Sequence, residues 1–130
     1  MKKYLVVDDE ALNSKLLREI LYGSAWCDCA YNGADALKLF EVAFETNNPY
    51  ELILLDISMP GMDGVEVLER IREYENERGI LLGRGVPIIM VTALKEHFMK
   101  AFNKGADDYV IKPIDQDALH QKIGAALSKK

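Results

Sequence analysis

The sequence predicts a doubly wound α/β domain, a five-stranded parallel sheet with helices on both faces. Three observations carry this. Short apolar runs alternate with helical patterns five times along the chain. Four of those runs are rich in branched residues and show little polar alternation, which is how strands buried on both faces read. The 130 residues, 49% hydrophobic and 28% charged, suit one domain with a real core rather than a disordered chain. One domain is expected over 1–130, with its core over about 3–127.

The first strand, 4–7, ends in Asp8-Asp9-Glu10. Leu12, Leu16, Leu17, Ile20 and Leu21 then form the apolar stripe of a helix, with Gly23 as its stop. A weaker strand at 25–31 contains Asp28, which suits a sheet edge. Ala36, Leu39, Phe40, Ala43 and Phe44 mark a second helix. The strand at 52–55 runs into Asp56, and Asp63 with Glu66 starts a helix carrying Val67, Leu68 and Ile71. The stretch 75–85 is polar and holds Gly79, Gly83 and Gly85, so it is expected to be a long surface loop. A fourth strand, 86–91, leads into Thr92. Phe98, Ala101 and Phe102 suggest a short helix ending near Gly105. The last strand, 109–111, precedes Lys112-Pro113, and Asp115 caps a helix carrying Leu119, Ile123 and Leu127.

Several function classes drop out. The net charge is -5 with Lys and Arg scattered, so no electrostatic footprint for nucleic acid exists. The apolar run near Met1 is too short for a signal peptide, and no stretch is long enough to span a membrane. A cytoplasmic protein is expected. Cys27 and Cys29, two apart on a strand, point to one face and are badly placed to bridge. They read as small buried residues in a reducing compartment. His97 and His120 are isolated and read as surface or interface residues; Lys95, Lys100, Lys104 and Lys112 read as a solvated face or as a meeting place for an acidic partner.

In such a sheet the reactive crevice lies at the carboxyl ends of the strands. There the sequence places Asp8, Asp9, Asp56, Thr92 and Lys112, from four parts of the chain. Taken singly, the acids read as loop or capping residues, Thr92 as a strand residue and Lys112 as a turn lysine. Together they suit one chemistry. Carboxylates are ligands for a hard cation such as Mg²⁺. A carboxylate can also accept a phosphoryl group. Metal and lysine then offset the repulsion between two anions.

The residues that carry a family resemblance are Val6-Val7-Asp8-Asp9-Glu10, Leu54-Leu55-Asp56-Ile57-Ser58-Met59-Pro60-Gly61-Met62-Asp63-Gly64, Val91-Thr92-Ala93, and Gly105-Ala106-Asp107-Asp108-Tyr109 with Lys112-Pro113. With them the chain resembles the response regulator receiver domain of two-component signalling. The resemblance implies the flavodoxin-like strand order 2-1-3-4-5. It implies Asp56 as phosphoacceptor, Asp9, Asp56 and the Ser58 backbone carbonyl as ligands of Mg²⁺ (or Mn²⁺), and Asp8 as an aid through metal-bound water. Lys112 would contact the phosphoryl group, while Thr92 and Tyr109 would act as the switch pair. A cis Lys112-Pro113 bond is implied as well.

Such a domain catalyses its own phosphorylation and dephosphorylation but is mainly a switch. Its donor would be a histidine kinase or a histidine phosphotransfer protein. Residues 93–127, the fourth helix, fifth strand and fifth helix, would move and control a downstream protein or a phosphorylation-dependent dimer. The chain ends soon after the last helix, which suits a stand-alone receiver or one excised from a longer protein. Ser58 and Leu94 stand where the family tunes phosphate lifetime. Leu94 cannot position an attacking water, so a long-lived phosphoform is expected. Rapid phosphate loss that is unchanged in Leu94→Ala would contradict this.

Three other readings compete. A haloacid dehalogenase-type phosphatase needs a second acid two residues after its nucleophile, where this chain has Ser58. A flavin carrier needs a Ser- or Gly-rich phosphate loop after the first strand, where this chain has Asp8-Asp9-Glu10. A receiver-like binding module that takes no phosphate stays open.

Overall fold

A computed structural model describes residues 2–93 and 96–128. Five strands alternate with five helices: β1 (Lys2–Val7), α1 (Ala11–Ile20), β2 (Ala25–Ala30), α2 (Gly33–Glu45), β3 (Leu52–Asp56), α3 (Gly64–Glu77), β4 (Ile88–Thr92), α4 (Glu96–Asn103), β5 (Asp108–Ile111) and α5 (Gln116–Ser128). The strands form one sheet in the order β2-β1-β3-β4-β5, and every neighbouring pair is parallel. This is the expected doubly wound topology, with β2 and β5 as edges.

The pleat divides each strand between two cores. Leu5, Val7, Ile53, Leu55, Ile88 and Met90 pack against α2, α3 and α4, whereas Tyr4, Val6, Leu54, Ile89 and Val91 pack against α1 and α5. All five residues of β3 are buried. Each such aliphatic side chain contributes roughly 1.5–3 kcal/mol over its exposed state, which is why the central strand needs no polar alternation. The carboxyl ends of β1, β3 and β4 come level through the register Val7↔Leu55 and Asp56↔Val91.

Three expectations need correction. Of that leucine stripe only Leu17 and Leu21, the latter capping α1, are fully buried, while Leu12 is 80% and Leu16 43% exposed. The helix sits on the sheet through the row Ser14, Leu17 and Leu21, and Leu12 and Leu16 project elsewhere. Cys27 is buried but Cys29 only half so. Burial and the neighbouring Cys29 push the Cys27 thiol up to about 11, which leaves it unreactive. Finally, α3 continues to Glu77, so Glu75 is helical and buried rather than part of a surface loop.

Glu75 belongs to a polar node built around Arg72. The guanidinium donates to Gly105 O at 3.0 and 2.9 Å, to Val86 O at 2.8 Å and to Glu75 Oε1 at 2.8 Å, and pairs with Asp107 Oδ2 at 3.2 Å. Glu75 Oε2 accepts from Val86 N at 2.7 Å, and Asp107 Oδ2 from Ile88 N at 2.8 Å. The node closes the amino ends of β4 and β5 against α3. Gly105 can meet it because its φ of +107° is open to glycine, and because a Cβ there would press on Arg72.

Candidate functional site

Each acid reaches the rim for a local reason. Asp8 follows β1 and is 1% exposed, its backbone amide donating to Ala30 O at 3.1 Å and its Oδ1 accepting from Glu10 N at 2.9 Å. Asp9 is exposed. Asp56 closes β3 at 3% exposure and accepts from Ser58 N at 3.3 Å. Behind it the chain folds tightly back: Gly64 N donates to Ile57 O at 2.9 Å. A Cβ on Gly64 would overlap the Asp56 carbonyl, so no side chain fits at this turn. The Asp63 side chain then caps α3 by accepting from Glu66 N at 2.9 Å, as the sequence spacing implied.

Carboxylate oxygens of Asp8, Asp9 and Asp56 all lie within 4.8 Å of one another. From beyond β5, Lys112 reaches into the cluster, with Nζ 3.3 Å from Asp8 Oδ2 and 3.4 Å from Asp56 Oδ2. The Lys112 backbone is tied to the end of β4 by N–H donation to Thr92 O at 2.8 Å, and the Lys112-Pro113 bond is cis. Burial, and then the charge of Asp8, push the Asp56 carboxyl up to about 6, against the pull of Lys112 and the Ser58 amide. Burial disfavours the Lys112 ammonium, but Asp56 and Asp8 outweigh it and its pKa rises. The site thus holds more negative charge than one lysine offsets. Its donor set is three carboxylates, which suits a hard divalent cation.

Asp8, Asp9, Asp56 and Lys112 therefore meet as the sequence implied. Thr92 ends β4, buried, one residue beyond the partner of Asp56 in the register. Ser58 is exposed, and the contact seen is through its amide rather than its carbonyl. Tyr109 lies near the start of β5. It is half-buried, its ring centroid lies 4.5 Å from that of Phe98, and Lys122 Nζ sits 4.4 Å from the ring. Leu94 and Lys95 lie outside the described residues.

Two residues near the site were not legible beforehand. His97 and Lys100 of α4 line a cleft of about 660 Å³ with Ser58, Met59, Pro60 and Asp63. His97, read as a surface or interface residue, is half-buried, with Nδ1 lacking a hydrogen-bond partner. Only the fold of α4 against the β3–α3 turn brings them there, so no local signal could have found them.

Comparison with known proteins places these features in company. The family model described as "Response regulator receiver domain" matches residues 4–124. The chain is 39% identical over 130 residues to the transcriptional regulatory protein ResD of Bacillus subtilis, covering 98% of this chain and 48% of ResD. It is 39% identical to part of the hybrid signal transduction histidine kinase L of Dictyostelium discoideum, covering 93% of this chain and 7% of that kinase. The chain spans about half the length of ResD or less of its other curated relatives. Among solved structures, the response regulator protein TrrA of Thermotoga maritima in complex with Mg(2+)-BeF superposes with a TM-score of 0.79 at 36% identity, covering 98% of this chain and 100% of that one. A CheY-like receiver domain protein of Methanospirillum hungatei gives 0.79 at 30% identity, covering 99% and 95%. Among the described residues, no helix is long and apolar enough to cross a membrane.

Proposed function

Since this chain belongs to the response regulator receiver family of two-component signalling, we propose that Asp56 is its phosphoacceptor and that phosphorylation switches the face built from α4, β5 and α5. The observation that carries this is the buried Asp56 carboxylate, within 4.8 Å of the Asp8 and Asp9 oxygens and 3.4 Å from Lys112 Nζ.

Asp8, Asp9 and Asp56 would hold Mg²⁺ or Mn²⁺, with the Ser58 carbonyl as a further ligand, and their hard oxygens match either ion. The bound cation supplies positive charge to a phosphoryl group approaching an already anionic pocket. One Asp56 oxygen forms the new O–P bond as the N–P bond of a phosphohistidine breaks, and the leaving imidazole keeps the nitrogen electron pair. Lys112 is poised to follow the charge from the carboxylate to the phosphoryl oxygens. Thr92, one position past Asp56's partner on β4, is the hydroxyl nearest in register to donate to them. Phosphorylation adds roughly 1.5 to 2 negative charges near neutral pH, which biases a two-state surface rather than building a new one.

Tyr109 would transmit that bias. Its ring now lies between Phe98 of α4 and Lys122 of α5, so an inward swing must release both contacts. The donor would be a histidine kinase or histidine phosphotransfer protein. A downstream protein, or a second copy of the chain, would read the altered face.

Incubation with Mg²⁺ and acetyl phosphate, followed by intact-mass measurement, tests the reading. A single phosphoryl adduct that requires the metal and is absent in Asp56→Asn is the expected result. No adduct with any donor or metal would leave a receiver-shaped binding module in its place.

A further inference from the structure

The edge strand β2 carries the chain's two cysteines, Cys27 and Cys29, both free thiols. They pair in register with Tyr4 and Val6 of β1, and like those residues they face the core beneath α1 and α5. Asp28 between them points to the other face, where it accepts from Trp26 Nε1 at 2.8 Å and from the Tyr50 hydroxyl at 2.7 Å. The pleat therefore sets two sulfurs side by side, with no residue between them on that face. Burial, and then the neighbouring Cys29, push the Cys27 thiol up, and the Arg18 guanidinium of α1 acts against burial at both sulfurs.

Two residues along a strand advance about 6.6 Å. A disulfide needs its Cβ atoms about 3.8 Å apart and its sulfurs bonded at about 2.05 Å, so this pair stands too far apart for one. A single ion between the sulfurs removes the mismatch. By the measure of zinc–thiolate bonds, about 2.3 Å each, two bonds in line hold the sulfurs about 4.6 Å apart. Each Cβ–S bond reaches that span by leaning roughly 1 Å toward the other.

The number of ligands selects the ion. A structural Zn²⁺ site is closed by four side chains. Among the described residues, the one group of three or more acids, histidines or cysteines within reach of a single ion is Asp8, Asp9 and Asp56, so the two thiols have no third partner. Thiolates are soft and select Cu(I), an ion satisfied by two ligands in line. Cu(I) between two thiolates carries one negative charge. Arg18, which makes no ion pair among the described residues, is the cation beside them that offsets it. A cleft lined by Lys15, Arg18, Ala25 and Cys27 gives the ion a way in.

We propose that Cys27 and Cys29 hold one Cu(I) ion, two-coordinate, between β2 and α1. Both S–H protons leave as the two Cu–S bonds form, copper stays in the +1 state, and neither sulfur is oxidised. The raised pKa that makes Cys27 a poor nucleophile is no obstacle, because a coordinating soft ion displaces the proton outright. The chain thereby sorts two kinds of ion, a hard one to the carboxylates and a soft one to the sulfurs.

Titration of the reduced, metal-free protein against the Cu(I)–bicinchoninate complex, in ascorbate without oxygen, tests this. One copper per chain is expected to pass to the protein as the coloured complex bleaches. Cys27→Ser and Cys29→Ser should each weaken binding by at least about a hundredfold, more than the loss of an outer-shell partner costs. Cys29 is only half-buried, so Cys29→Ser keeps the test open if Cys27→Ser does not fold. An equal concentration of Zn²⁺ should not displace the copper. Asp56→Asn should take up copper as wild type does, which separates this proposal from the phosphoacceptor reading. No transfer, undiminished affinity in either serine variant, or one copper shared between two chains would overturn it.

Discussion

Arg72→Ala is expected to destabilise the domain by about 3–5 kcal/mol, the range for removing one partner of a buried ion pair. The side chains of Arg72 and Glu75 are 13% and 6% exposed, so little water is at hand to replace the guanidinium. Its loss leaves the buried Glu75 carboxylate without the cation it pairs with, weakens the setting of Asp107, and strips donors from Val86 O and Gly105 O. Against a typical domain stability of about 5–15 kcal/mol, that is a large share. Arg72→Lys should recover part of the loss, because an ammonium restores the charge but not the planar fork that reaches two carbonyls and two carboxylates. Urea unfolding at neutral pH measures both, and Arg72→Lys keeps the comparison open if the alanine variant does not fold. A loss below about 1 kcal/mol in the alanine variant would show that solvent substitutes for the guanidinium.

The second large effect has the opposite sign. In metal-free buffer Asp56→Asn should be more stable than wild type at neutral pH by roughly 2–3 kcal/mol. The folded-state pKa of Asp56 is raised from 3.8 to about 6, first by burial and then by Asp8. The native state therefore holds this proton more tightly than the unfolded chain does. The stability it contributes is complete below 3.8 and is lost as pH rises through about 6. Asparagine does not titrate, so the advantage of the variant should grow between pH 4 and 7 and be small at the acid end. Thermal melts across that range in a chelator provide the measurement. Adding Mg²⁺ should raise the melting temperature of wild type far more than that of the variant, because binding to the native state alone stabilises it. Equal melting of the two proteins at every pH would refute the electrostatic account of this pocket.

Much of the fold was legible because its causes are local. Residues 52–55 form an unbroken apolar run, and the structure buries all of them. The site was legible for a related reason. Asp8, Asp56, Thr92 and Lys112 each stand at or just past a strand end, so a parallel sheet gathers them without any detail of packing. What was missed depends on contacts between distant residues. Arg72 meets Gly105 and Asp107 at separations of 33 and 35 residues, and nothing near Arg72 marks it as more than a polar helix residue. For the same reason Glu75 read as part of a polar loop, although Arg72 and the Val86 amide hold it inside. The α1 stripe was misplaced because several leucine rows share that helix, and the sheet covers only one of them.

The position of the Arg72 node has a mechanical consequence. It grips the turn at Gly105 and Asp107, just past the carboxyl end of α4, while the first residues of α4 follow Thr92 at the opposite end of the sheet. The carboxyl end of α4 is therefore its anchored end. If phosphorylation displaces the Asp56 end as proposed, the leading turn of α4 should travel furthest and the anchored turn least, with the exposed Met99, midway along the helix, between them.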